Sequence, residues 1–409
     1  MNRLSGKSVV ISPAAALAQL MTAARELFTS LDGAWAESEA DRRLPHRVVE
    51  EMRRAGLFRM VVPSELGGAE ADLRTFLDVL EVVGYANGSA GWDLATSSME
   101  TLFAVGFPGE GIEQIYGGGP DVILAGTVTT DRDAAKAIAV EGGYRISGRW
   151  RFGSGCQDAD WMMASAPVFD GEQPRTESDG LPYFLYVAFP RKTVDIIDTW
   201  HVLGMRGTGS HDWAVERALV PEGLTANARV VLQRLQPRQW RGTLYRFPLF
   251  VIVALHFSAV ATGLARRAID TLVELAHAKT PHRSSALLRA RVQVQEAVAR
   301  AEVELESARA YRDHVVDDAW KTVDAGGTLS LDQRARVRLA GTHAAQSAAT
   351  AVDLMYACGG TTSIQDSSAL SRCFRDVHVV VQSITVLPLH YEAIGRAFLG
   401  LEPGGLIPL

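Results

Sequence analysis

The stretch ISGRWRFGSG, residues 146–155, is the most specific part of this chain and the best guide to its fold. It predicts a β-strand that ends in Gly153-Ser154-Gly155, and Asp160-Trp161 follow it. Because glycine has no Cβ, such a turn can bring backbone amides close to a planar ligand. The serine offers a hydroxyl to a ring nitrogen or oxygen. An ordinary strand and turn would have the same composition, so this stretch alone leaves both interpretations open.

Around this strand, the spacing of apolar residues divides the chain into three parts. Residues 1–120 have helical spacing, and residues 121–230 have a period of two, with Gly142-Gly143 predicting a tight hairpin turn. Long helical patterns return in residues 231–409. We therefore predict a mainly α-helical protein with an N-terminal helical domain, a middle antiparallel β-barrel or sheet, and a C-terminal four-helix bundle.

Composition excludes several classes of function. The chain has 409 residues, of which 47% are hydrophobic and 22% charged, and its formal net charge of −6 gives no basic surface for nucleic acid. The odd number of cysteines and the lack of a secretion signal predict a cytoplasmic protein. Residues 247–263 are apolar but fall short of the roughly 20 residues that a membrane span needs. We expect a buried core helix there and no membrane association.

A glycine-rich loop is the second informative stretch, WHVLGMRGTGSHD at residues 200–212. Arg206, Thr208, Ser210 and His211 lie among its glycines, which predicts a possible cradle for an oxyanion or a phosphate. The loop lacks the Gly-Lys-Ser/Thr ending of a P-loop and the glycine spacing of a dinucleotide-binding turn. A purely structural turn would explain it equally well.

The third stretch joins Gly359-Gly360 to SSALSRCFRDVH at residues 367–378. His378 could move protons, because histidine titrates near neutral pH, although a single histidine on an apolar helix is more often structural. The histidines do not suit a metal site. His277 and His282 lie five residues apart across Pro281, a spacing that does not suit one helical face.

Taken together, these stretches resemble the acyl-CoA dehydrogenase superfamily over nearly the whole chain. Residues 57–68, LFRMVVPSELGG, are similar to its N-terminal signature, and Gly359-Gly360 and Arg375-Asp376 are similar to its C-terminal motifs. The resemblance implies an acyl-CoA dehydrogenase-like fold. It also places Ser154 where that family has a hydroxyl near the N5 atom of the flavin ring.

The catalytic carboxylate of those dehydrogenases has no counterpart here. At the family's spacing, Ile384 and Val253 occupy the two positions where the glutamate is found. Removing the α-proton of a thioester requires a base within hydrogen-bond reach, and neither side chain can act as one. Ordinary dehydrogenation is therefore disfavoured.

The variant motifs are similar instead to the flavin-dependent monooxygenases of this fold. That group includes the oxygenase component of p-hydroxyphenylacetate hydroxylase, dibenzothiophene monooxygenase and amino-sugar N-oxygenases. The resemblance implies O2, reduced flavin (FMNH2 or FADH2) from a separate NAD(P)H:flavin reductase, a C4a-hydroperoxyflavin, a small aromatic or polyketide-like substrate, and a homotetramer. Ser383 stands where many members carry a second histidine, so His378 or Ser383 could face the flavin.

The resemblance and the motifs give a set of candidate site residues. The predicted catalytic residues are His378, Ser154 and Ser383, and the predicted substrate contacts are Trp92, His211 and Phe250. The predicted cofactor contacts are Phe152, Ser154, Gly155, Arg206, Thr208, Ser210, Arg283, Gln295, Gly359 and Gly360. The alternatives are a thioester oxidoreductase, an N-oxygenase of an amine or amino sugar, and a flavin-binding protein without turnover.

Overall fold

Helices form the first part of the chain in the computed structural model, which describes residues 13–129, 131, 133–234 and 239–404. They are α1 (Pro13–Glu26), α2 (Phe28–Gly33), α3 (Trp35–Asp41), α4 (His46–Arg54), α5 (Leu73–Ala86), α6 (Gly88–Ala104) and α7 (Gly109–Tyr116). Asn87 sets the junction between α5 and α6. Its Oδ1 accepts from the Ala90 amide at 3.1 Å, and its Nδ2 donates to the Leu31 carbonyl. The start of α6 is thereby fixed to α2.

One sheet forms the middle of the chain. Its strands are β1 (Leu124–Thr127), β2 (Ala135–Val140), β3 (Gly143–Gly153), β4 (Trp161–Asp170), β5 (Gln173–Pro174), β6 (Phe184–Pro190), β7 (Asp195–Ile197), β8 (His211–Pro221) and β9 (Thr225–Asn227). The main order is β7-β8-β3-β2-β4-β6-β9, with β1 and β5 also paired to β4. The hairpin predicted at Gly142-Gly143 is confirmed, because β2 and β3 pair antiparallel across it.

The sheet is mixed rather than wholly antiparallel, because β4 pairs parallel to both β1 and β2. Strand β3 runs antiparallel to β2, and the chain then turns straight back through residues 154–160 into β4. Strand β4 therefore runs in the same direction as β2, beside which it lies. Alternation of apolar residues along one strand holds no information about which neighbour it pairs with.

Pairing of β3 with β8 decides where the loops meet. Gly153, the last residue of β3, lies opposite His211, the first residue of β8. The turn after β3 and the loop before β8 therefore lie at the same end of the sheet. There the Gly155 amide donates to the Thr208 carbonyl at 2.9 Å.

The last part of the chain is helical again. Its helices are α8 (Ala228–Leu232), α9 (Leu249–Ile252), α10 (His256–Ala278), α11 (Val292–Asp324), α12 (Leu331–Gly359), α13 (Ala369–Val380) and α14 (His390–Phe398). Helices α10 to α13 pack on one another as a bundle. Residues 249–278 are long and apolar enough to cross a membrane, yet 89% of their most apolar window is buried. That burial is typical of a core helix, as expected, although residues 253–255 interrupt it.

Gly341 of α12 lies where that interruption packs, so we expect its substitution to be destabilising. A Cβ at Gly341 would stand 1.7 Å from the Ala254 carbonyl oxygen. Gly341→Ala should lower the free energy of unfolding by about 1–3 kcal/mol through overpacking. The measurement is denaturant unfolding followed by circular dichroism.

Gly395→Ala is the matched control, because Gly395 is also helical and a Cβ there would meet nothing within 4 Å. Alanine favours the helix over glycine by about 1 kcal/mol, so this variant should be slightly more stable than wild type. Equal unfolding midpoints for the two variants would contradict the packing argument.

Candidate active site

The backbone amides of the turn that follows β3 are already bonded to carbonyls of the protein. The amides of Ser154, Gly155 and Cys156 donate to the carbonyls of Phe152, Thr208 and Gly153. These amides are thus already paired within the protein, and the approach of the turn to a planar ligand stays a prediction. A Cβ at Gly153 would stand 2.7 Å from a ring carbon of Trp213, so its glycine serves close packing.

A row of hydroxyls connects this turn with the glycine-rich loop. Ser154 Oγ lies 2.7 Å from Ser210 Oγ, and Ser210 Oγ lies 2.6 Å from Thr208 Oγ1. Thr208 Oγ1 donates to the Met205 carbonyl at 2.9 Å, and Trp92 Nε1 donates to Ser154 Oγ at 3.0 Å. Three residues predicted to contact the cofactor and one predicted to contact substrate are thus in direct contact. We call Ser154, Ser210 and Thr208 the hydroxyl row.

The glycine-rich loop is less open to an anion than its composition indicated. The amides of Met205, Thr208 and Gly209 are already bonded, to Asp376, Met205 and Arg206 respectively. An oxyanion or phosphate cradle needs several unpaired amides pointing the same way. The loop is better described as a support for the hydroxyl row.

An aromatic wall stands beside the hydroxyl row. The rings of Trp92 and Phe257 are stacked at 3.6 Å with an angle of 7° between them, and His256 packs on Phe257 at 3.8 Å. Burial lowers the pKa of His256 to about 3, so its imidazole is neutral at physiological pH. The wall is therefore apolar and uncharged, and neither Phe257 nor His256 was predicted from sequence, because both resemble ordinary core residues of an apolar helix.

Asp93 is a further residue that the sequence analysis missed. Its side chain is buried, its Oδ1 has no hydrogen-bond partner among the described residues, and a Cβ at Gly155 would lie 3.5 Å from its carboxyl carbon. Burial, with Asp158 adding a like charge, raises the pKa of Asp93 well above its ordinary value. The carboxyl group of Asp93 thus lies against the turn, in an environment that disfavours its charged form. A carboxylate directly after Trp92 in an apolar helix was the available signal.

Arg375-Asp376 joins α13 to the glycine-rich loop. Asp376 Oδ1 accepts from the Met205 amide at 2.5 Å, and Arg375 forms an ion pair with Glu39 of α3 at 2.7 Å. A Cβ at Gly204 would stand 2.2 Å from the Arg375 carbonyl oxygen. This motif therefore holds the loop, the N-terminal helices and the bundle together.

His378 and Ser383 do not contact the hydroxyl row. His378 Nε2 lies 2.8 Å from Asp353 Oδ1 on α12, and its ring packs on Phe374. Ser383 Oγ lies 3.0 Å from Thr385 Oγ1. A carboxylate that orients an imidazole suits proton transfer, so the role of His378 stays a prediction, with Ser383 as the alternative.

The two dehydrogenase base positions are apolar in space as well as in sequence. Val253 is half-buried at the turn before α10, where its carbonyl accepts from His256 Nδ1 at 3.0 Å. Ile384 is 40% exposed, and its carbonyl lies 2.6 Å from His390 Nε2. Neither position offers a carboxylate.

Two of the predicted substrate contacts serve the fold. His211 is buried, and its Nδ1 accepts from the amides of Thr199 and Trp200 at 3.2 Å each. The ring thereby holds the chain ahead of the glycine-rich loop, and a direct contact of His211 with substrate stays a prediction. Phe250 is buried in α9, and its carbonyl accepts from Arg338 at 2.9 Å.

Of the remaining predicted cofactor contacts, Phe152 and Arg206 lie in the same turn and loop as the hydroxyl row, and four others lie elsewhere. Phe152 is 60% exposed with φ of 65°, and Arg206 is half-buried. Arg283, Gln295, Gly359 and Gly360 lie where the end of α10, the start of α11 and the end of α12 meet, and Lys279 Nζ donates there to the Gly359 carbonyl at 2.8 Å. Within the described part of the chain, no hydrogen bond links these four to the row. No group of metal-ligating side chains occurs among those residues either.

The chain is similar to known proteins over most of its length. The acyl-CoA dehydrogenase N-terminal domain matches residues 17–108, and the acyl-CoA dehydrogenase C-terminal domain matches residues 255–386. Indole-3-acetate monooxygenase of Pseudomonas putida is 32% identical over 367 residues, which cover 90% of each chain. The flavin-dependent monooxygenase oxygenase subunit HsaA of Rhodococcus jostii is 27% identical over 84% of this chain and 88% of its own.

The fold is also that of a solved structure. XiaF from Streptomyces sp., in complex with FADH2 and glycerol, superimposes with a TM-score of 0.88 over 97% of this chain and 98% of that chain, at 24% identity.

Proposed function

The chain belongs to the acyl-CoA dehydrogenase superfamily, as a flavin-dependent monooxygenase of that fold, and we propose that it is the oxygenase component that hydroxylates a small aromatic substrate. One observation carries the proposal. A buried hydroxyl row faces an uncharged aromatic wall, and both positions of the dehydrogenase base are apolar. Such a site can hold a flavin but has no carboxylate at either base position to remove a thioester α-proton.

The residues present suit a flavin. Ser154, at the tip of the turn, offers a polar atom beside Gly155, while Trp92 and Phe257 offer a flat apolar surface. When bound, reduced flavin would supply two electrons and activate O2, so that one oxygen atom enters the substrate as a hydroxyl and the other leaves as water. The protein's own contribution is to orient the ring and to exclude water with neutral side chains.

The substrate class follows from the wall and from the relatives. The stacked Trp92–Phe257 pair offers aromatic surface next to the row, and aromatic rings associate favourably by offset or edge contacts. The most similar curated relative reported above is named for indole-3-acetate, itself an aromatic compound. We extend the proposal to small phenolic, indolic or polyketide-like molecules. His378, oriented by Asp353, is the group proposed to take a substrate proton.

The proposed partners are a separate NAD(P)H:flavin reductase and further copies of the chain. The related HsaA is named as an oxygenase subunit, which supports a reductase partner. Val292 and Val303 are 69% and 61% exposed on α11, and apolar side chains at such exposure suit a subunit interface in a homotetramer. All three cysteines are free thiols, which supports the proposed cytoplasmic location.

Rapid mixing tests the proposal. Protein loaded anaerobically with FMNH2, and separately with FADH2, is mixed with oxygenated buffer, and the return of oxidised-flavin absorbance is followed. A lag relative to free reduced flavin is expected with at least one of them, and hydroxylated product should form when an accepted aromatic compound is present. Direct reoxidation with both flavins would overturn the proposal and favour a thioester oxidoreductase.

Two serine variants sharpen the test. Ser154→Ala should shorten the lag, because it removes the polar tip of the turn. Ser307→Ala, on the exposed face of α11, should leave the lag unchanged. Equal lags for both variants would mean that Ser154 of the hydroxyl row does not affect the reoxidation of the flavin.

A further inference from the structure

The hydrogen bonds of the hydroxyl row have a fixed direction. Each hydroxyl carries a single proton, and a carbonyl oxygen can only accept. Thr208 uses its proton toward the Met205 carbonyl, which also accepts from Trp200 Nε1. Thr208 Oγ1 must then accept from Ser210, and Ser210 Oγ must accept from Ser154. The proton of Ser154 is therefore committed to Ser210.

Ser154 Oγ has one lone pair that is not used in a hydrogen bond. Its oxygen receives one proton from Trp92 Nε1, donates its own to Ser210, and has one acceptor position left. The neighbouring amides of the turn already donate to carbonyls of the protein. Toward a ligand at this turn, Ser154 Oγ is thus an acceptor.

Reversing the direction would remove a hydrogen bond. If Ser154 donated outward, Ser210 would have to donate to Ser154 and Thr208 to Ser210, which leaves no proton for the Met205 carbonyl at 2.9 Å. One hydrogen bond of this kind changes an equilibrium by a factor of about 2 to 13. The protein therefore holds the row in the direction that presents a lone pair.

We infer that Thr208, acting through Ser210, orients Ser154 as an acceptor and so makes the site select reduced over oxidised flavin. This inference rests on the proposed function. On reduction, N5 of a flavin changes from a hydrogen-bond acceptor to an N–H donor. A hydroxyl held as an acceptor is complementary to the reduced ring and opposes a lone pair on the oxidised one. Thr208 is a positioning residue, since it reaches the ligand only through the row.

Equilibrium binding tests the inference without turnover. Dissociation constants for oxidised and reduced FMN and FAD are measured under anaerobic conditions, and their ratio, oxidised over reduced, is compared among variants. Thr208→Val keeps the shape of the side chain but removes the hydroxyl, and Ser210→Ala interrupts the row at its centre. Both free the proton of Ser154, so the ratio should fall by about three- to tenfold, with oxidised flavin binding tighter than in wild type.

Trp92→Phe is the matched control. It removes the N–H that donates to Ser154 but leaves Thr208 bonded to the Met205 carbonyl. Both dissociation constants should therefore rise together, and their ratio should stay at the wild-type value. If Thr208→Val and Ser210→Ala both bound flavin with the wild-type ratio of dissociation constants, the inference would be overturned, but the proposed flavin binding would stand. If wild-type protein bound neither redox form of either flavin, the proposed function itself would fail, and this inference with it.

Discussion

Glu81→Ala is expected to lower the free energy of unfolding by about 3–5 kcal/mol, because it removes one of the two carboxylates, Glu81 and Asp313, that pair with the buried Arg312 guanidinium. Glu81 Oε2 accepts from Arg312 Nη2 at 3.1 Å and from Thr262 Oγ1 at 2.9 Å. The Arg312 side chain is fully buried, so water cannot replace the lost partner. Thr262 lies on α10 and Arg312 on α11, so the network joins α5 to the bundle beneath the site.

Denaturant unfolding of wild type and Glu81→Ala at neutral pH measures this difference in the free energy of unfolding. Glu306→Ala is the matched control. Glu306 forms an ion pair with Arg309, the same arginine that contacts Glu81, but the Glu306 side chain is 56% exposed. Exposed pairs contribute about 0–1 kcal/mol, so the control should be close to wild type. A loss below 1 kcal/mol in Glu81→Ala would mean that the network does not stabilise the junction.

Asp376→Asn is expected to stabilise the protein in a pH-dependent way. Burial raises the pKa of Asp376 to about 7 from an ordinary value of 3.8, with the Met205 amide opposing that shift. Between these values the folded state keeps a proton that the unfolded state releases. The contribution of Asp376 to stability is therefore fully present below about pH 4 and is lost as the pH rises through about 7.

Asparagine resembles the protonated carboxyl and can still accept from the Met205 amide, so the variant should not lose this contribution. The free energy of unfolding of the variant should exceed that of wild type by an amount that grows by about 1.4 kcal/mol per pH unit. This difference should approach about 4 kcal/mol above pH 7. Unfolding midpoints measured from pH 5 to 8.5 test this.

Asp170→Asn is the control for this series. Asp170 is exposed, and its hydrogen bond with Arg175 holds the pKa of that carboxyl below its ordinary value, so the stability difference between this variant and wild type should be flat across that range. A flat difference for Asp376→Asn as well would show that this carboxyl is not held in its neutral form.

The sequence alone identified the hydroxyl-bearing residues of the candidate site but not the hydrogen bonds that they and the neighbouring amides form. The structure brings Ser154, Thr208 and Ser210 into direct contact, and their role in binding one ligand stays a prediction. The pairing of the Gly155 amide was not predictable, since the carbonyl that accepts from it belongs to Thr208, in another segment of the chain. The side that His378 faces depends on how α13 packs against α12, which its own sequence does not specify.

By itself, the sequence determined the order of helical and β parts, the family, and the absence of a carboxylate at Val253 and Ile384. Those properties are local, because periodicity, glycine spacing and side-chain identity can be read along one segment. Tertiary structure alone decided that Trp92 meets Ser154, that Glu81 meets Arg312, and that the hydroxyl row has one direction. Each depends on residues far apart in the chain, where register and burial, rather than composition, fix which donor finds which acceptor.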